Sequence, residues 1–107
     1  MKASRKWIMQ KVSALIIAPL IVWFFLSLIS LSTGDYNSVI NFFSKPLFLS
    51  LTIILLIAGF FHGKIGLSEI FEDYIHDEKI KNAANILTLL LSIIVPTITI
   101  ILLLYKF

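Results

Sequence analysis

Three long apolar runs constrain this chain more than any other feature. They fall at residues 12–31, 46–67 and 83–105, with polar or charged connections between them. Twenty helical residues rise about 30 Å, the thickness of a bilayer's hydrocarbon core. Composition agrees: 59% of the 107 residues are hydrophobic and only 14% are charged. A soluble domain carries roughly 25% charge. The expected fold class is all-α integral membrane, one domain over residues 1–107 with three transmembrane helices. No length remains for a separate soluble catalytic domain. Cysteine is absent, which excludes disulfides, cysteine-ligated iron–sulfur clusters and thiol chemistry.

The first eleven residues hold Lys2, Arg5, Lys6 and Lys11 and no acid, with Trp7 placed as an interfacial anchor. A charged start before an apolar run resembles a signal peptide. The run is too long for one, and no small-residue cleavage site follows it, so it reads as a span. Ser13, Ala14 and Ala18 offer a small-residue face near its start, and Pro19 is tolerable within a membrane helix. Gly34-Asp35 signals a turn. Val39 to Phe43 is too short to span and is expected along the interface, and Pro46 suits the first turn of the second span.

Beyond Lys64, which can snorkel to the headgroups, Leu67, Ile70, Phe71 and Tyr74 keep helical spacing opposite Glu69, Glu72 and Asp73. The second helix is therefore expected to continue as an amphipathic extension over residues 68–74, with residues 75–82 forming a turn. In that turn, Lys79 and Lys81 are expected to be solvated or to face anionic lipid or a docked partner. Pro96 is expected to kink the third span, and Tyr105 and Lys106 close it as interface anchors. Seven Lys/Arg lie on the side of the N-terminus and the second connection, against two on the other side. That bias predicts a cytoplasmic N-terminus and an outer C-terminus. The net charge of +3 reads as this topology signal and not as a nucleic-acid patch.

The candidate chemistry gathers where the second span ends, in AGFFHGKIGLSEIFEDY, residues 58–74. A histidine at membrane depth is a functional hypothesis by default. At about 100° per residue, His62, Gly66, Glu69 and Asp73 share one helical face. Two readings of His62 stand: an imidazole that bonds across the bundle or snorkels to the interface, or an axial ligand of haem iron. Gly59, Gly63 and Gly66 likewise serve close helix packing or clearance for a macrocycle. Two axial nitrogens on one iron lie about 4 Å apart, taking metal–nitrogen bonds of about 2 Å. The other histidine, His76, is fourteen residues further, about 21 Å along a continuous helix. A six-coordinate haem would need its second ligand from another chain, either a different subunit or a second copy. Asp73 and Tyr74 are ordinary at a membrane surface, yet a phenol there can also donate to the carbonyl of an amphiphilic ligand.

The string His62-x-x-x-Gly66 followed by Asp73-Tyr74, the EDYIH turn and the entry Gln10-Lys11-Val12-Ser13-Ala14 resemble the hydrophobic membrane-anchor subunit of succinate dehydrogenase. The resemblance covers nearly the whole chain. It implies a non-catalytic anchor paired with a second, cytochrome b anchor subunit, the two sharing one haem b between a histidine from each. His62 would be this chain's ligand. It also implies an inner-side ubiquinone site, with Tyr74 on a quinone carbonyl and Asp73 supporting it, and docked iron–sulfur and flavoprotein subunits. The membrane would be a bacterial inner membrane or that of a mitochondrion. Lys11 and Ser13 stand where the family commonly has Arg and Thr, positions that would support a haem propionate or the quinone site. Lys11 keeps the charge but lacks the planar fork. Alternatives are a fumarate-reductase-type anchor running the reverse reaction and a cofactor-free structural subunit.

Overall fold

The computed structural model describes residues 3–107. Four helices follow in order: α1 (Ala3–Ser32), α2 (Tyr36–Ser44), α3 (Pro46–Tyr74) and α4 (Glu78–Lys106). Three of them, α1, α3 and α4, are long and apolar enough to cross a membrane. At 1.5 Å per residue each is about 44 Å long, so turns at the ends extend beyond a 30 Å core. The protein is a helical multi-pass membrane protein. Lys2 of the N-terminal basic cluster lies outside the described residues.

The central helix is α3, packed against α1, α2 and α4. On α1 the covered positions include Lys6, Gln10, Ser13, Ile17, Leu20, Phe24, Ser27 and Leu31, a stripe stepping by three or four residues. The small-residue face expected on α1 reduces to Ser13, because Ala14 and Ala18 point outward. On α4 the covered stripe runs through Lys81, Ala84, Asn85, Thr88, Ser92, Pro96, Thr99 and Leu103, while most of its leucines and isoleucines are exposed. Lipid is as apolar as leucine, so helix association in a bilayer relies on small and polar residues that pack closely, with the large apolar side chains turned to the tails. The inward hydroxyls are satisfied locally. Thr52, Thr88, Ser92 and Thr99 donate to backbone carbonyls three or four residues earlier in their own helices. Helices α1 and α4 continue through Pro19 and Pro96.

The connections differ in construction. The expected interfacial segment is a full helix, α2. Its start is capped by Asp35, which accepts from the Ser38 N–H at 3.0 Å. Its apolar face docks through Phe42, whose ring stacks on Phe48 at 4.9 Å and on Trp23 at 5.8 Å. Phe43 meets Phe107 at 5.4 Å, so this aromatic cluster ties the C-terminus to α2. At the opposite end the α3–α4 turn is shorter than expected. Asp77 accepts from the N–H groups of Lys79 and Ile80, which starts α4 at Glu78 and leaves only residues 75–77 between the helices. Lys81 is not solvated as expected. It pairs with Glu72 at 3.4 Å and Glu78 at 3.5 Å, and its side chain is only 11% exposed.

Candidate functional site

His62 lies on α3 where that helix faces α1. Its imidazole Nδ1 is 2.8 Å from the Ser13 Oγ, a hydrogen bond between helices and between residues 49 apart in sequence. Ser13 is 4% exposed, and its hydroxyl also donates to the Gln10 carbonyl at 3.1 Å. The other ring nitrogen, Nε2, makes no hydrogen bond among the described residues. No fully buried side-chain polar atom among them lacks a partner, so Nε2 is not sealed within the chain.

Two apolar grooves flank this contact. Gly59 and Gly63 lie to one side of His62 on the helical wheel, Ala58 and Phe61 to the other. The first groove, about 600 Å³, is lined by Ile17, Phe24, Gly59, Gly63, Leu67 and Ser92 with their neighbours. The second, about 410 Å³, is lined by Val12, Ser13, Ile16, Ala58 and Phe61 with others. A Cβ added at Gly59, Gly63 or Gly66 would meet no other part of the described chain within 4 Å. Close packing among this chain's own helices therefore does not account for these glycines. They leave open space beside His62.

The remaining expected residues are not gathered at His62. Asp73 and Tyr74 end α3, eleven and twelve residues further on, about 17–18 Å along the axis. Both are exposed, Tyr74 at 78%, on the end that carries the Lys81 ion pairs. Lys11 is also exposed, its ammonium 5.6 Å from the Trp7 ring centre. The lysine of α1 that turns inward is Lys6. With Lys64, Ser68, Glu72 and Asn85 it lines a pocket of mixed polar and apolar walls, about 350 Å³, between α1, α3 and α4. The signal was present in the spacing. Lys6 and Ser13 are seven residues apart and so share one face, whereas Lys11 lies about 200° away from Ser13.

The donor set limits what a metal could find here. Among the described residues no three His, Cys, Asp or Glu side chains gather as a metal site. A macrocycle that brings four of its own nitrogens would need few protein ligands, and His62 is the residue of this site that would hold it. His76 lies apart from His62, in the turn beyond the end of α3 at Tyr74.

Fold and site together define a class: a three-span helical membrane protein with a single imidazole between two helices and its lipid-facing surface apolar almost throughout. The family can be stated more closely. Residues 2–102 match the family model described as succinate dehydrogenase/fumarate reductase transmembrane subunit, and the chain belongs to that family. It is similar to the succinate dehydrogenase hydrophobic membrane anchor subunit of Rickettsia bellii, 28% identical over 85% of this chain and 73% of the relative. The protein of the same description from Rickettsia conorii is 26% identical over 96% of this chain and 82% of the relative. No solved structure gives a significant match.

Proposed function

We propose that this chain is a non-catalytic membrane-anchor subunit of a succinate:ubiquinone oxidoreductase in a bacterial inner membrane, holding haem b jointly with a second anchor subunit. The observation that carries the reading is His62: its Nδ1 is engaged by Ser13, its Nε2 is not sealed within the chain, and the glycines beside it leave open space. Haem b, when bound, supplies one-electron redox chemistry within the membrane. The work of this chain's own residues is narrower. His62 would hold the haem iron through its Nε2, and the apolar walls of Ile17, Phe24 and Leu67 would keep water from the groove beside it. Tyr74 and Asp73 stand at the end of α3, where an exposed phenol can donate to a quinone carbonyl and a carboxylate can orient it.

The relatives support succinate oxidation over the reverse reaction, since they are described as succinate dehydrogenase subunits. The excess of Lys and Arg at the N-terminal end favours a cytoplasmic position for that end, with Tyr74. Iron–sulfur and flavoprotein subunits would dock there, and the exposed Leu67, Ile70 and Tyr74 are surface on which they or the second anchor can settle.

A cofactor-free reading draws on the same Ser13 contact, with His62 tying α1 to α3 and nothing more. A dithionite-reduced minus oxidised visible spectrum of the copurified complex separates the two. A b-type signal that disappears in His62→Ala is expected. A signal unchanged by that substitution would remove His62 as a ligand, and a colourless, well-assembled complex would favour the structural reading.

A further inference from the structure

We propose that Ser13 is a positioning residue that sets which nitrogen of His62 carries the proton, and so presents Nε2 as the free lone pair. The proposal rests on the reading of His62 as an iron ligand. A hydroxyl has one hydrogen and two lone pairs. The Ser13 Oγ is within bonding distance of two groups: the Gln10 carbonyl, which can only accept, and the His62 Nδ1, which can do either. If the hydroxyl hydrogen points at the carbonyl, Oγ turns a lone pair to Nδ1. The 2.8 Å contact is then a hydrogen bond only when Nδ1 bears the proton. A neutral imidazole protonated at Nδ1 has its lone pair on Nε2.

The opposite arrangement turns the hydroxyl hydrogen to Nδ1. The proton then sits on Nε2, which cannot bind a metal, and the Gln10 contact is lost. The first arrangement makes two hydrogen bonds at Ser13 and the second makes one. At 4% exposure Ser13 has little access to another partner that would restore the balance. The backbone of α1 thus dictates the tautomer of a side chain on α3. Because the two ring nitrogens lie on opposite flanks, tying Nδ1 to α1 also turns Nε2 away from α1. A hydrogen-bonded Nδ1–H makes the ring a more basic ligand, which favours oxidised iron.

The test uses the assembled complex carrying Ser13→Ala, Ser13→Thr or His62→Ala. It reads haem content, haem midpoint potential and the electron paramagnetic resonance g-values of the ferric haem, which report ring orientation. Ser13→Ala is expected to raise the potential and shift the g-values, or to lose haem. Ser13→Thr, which keeps the hydroxyl, is expected to stay near the parent in all three. Potential and g-values unchanged in Ser13→Ala, with haem lost in His62→Ala, would overturn the Ser13 role and leave the ligand reading intact. Equal haem loss in Ser13→Ala and Ser13→Thr would overturn it too, because packing and not the hydroxyl would then matter. Haem retained unchanged in His62→Ala would overturn both.

Discussion

The Ser13 hydroxyl and the His62 Nδ1 meet at 2.8 Å, joining α1 to α3 at the depth where the first span begins. Neither residue is a large apolar group, yet this is the polar link between those two helices among the described residues. The contact orients the imidazole, and substitutions at either residue separate a structural from a ligating role.

His62→Gln keeps a group able to bond Ser13 but offers no imidazole nitrogen. We expect the complex to assemble with the α1–α3 contact kept and with b-type absorbance lost. Haem content equal to the parent would argue that the iron takes its nitrogen elsewhere.

Tyr74→Phe removes the exposed phenolic hydroxyl proposed to donate to a quinone carbonyl. A neutral hydrogen bond contributes about 0.5–1.5 kcal/mol, and about 1.4 kcal/mol is a factor of ten in rate. Ubiquinone reduction is therefore expected to slow by roughly two- to twelvefold. Succinate oxidation by an artificial acceptor should be kept. Parallel loss of both activities would point to failed assembly.

Gly63→Leu puts a side chain into space that this chain's own helices do not fill. The chain is expected to insert normally, with copurification of the second anchor or haem content reduced at least several-fold. Unchanged haem content and partner yield would show that nothing occupies the open side of Gly63.

Lys81 bridges Glu72 and Glu78 across the short turn. The carboxylates are well exposed, so the coupling should be small in a Lys81/Glu72 double-mutant cycle. It should fall as salt is raised, because exposed partners are screened. A coupling of zero at low salt would show the bridge to be incidental.

Much of the scaffold was legible because membrane spans announce themselves by length and composition alone. The extension of α3 to Tyr74 was equally legible, from the spacing of Ile70, Phe71 and Tyr74 against Glu69, Glu72 and Asp73. The start of α4 was misplaced although its signal was local: Asp77 stands directly before Glu78 in the position of a helix cap, and the polar residues after it read as turn. The pairing of Lys81 was not legible, since it depends on the end of α3 folding back beside the start of α4.

The class of protein, the number of spans and the interest of His62 can be read from single segments, an apolar run or a titratable group at membrane depth. Helix packing was needed to show that Ser13 is the partner of His62 and that the glycines border open space. Those facts depend on the rotation and register of α1 against α3. Helices in lipid are not held in register by a unique hydrophobic stripe, because lipid accepts apolar side chains on any face. A few small and polar contacts fix the register instead, and Ser13 with His62 is one of them.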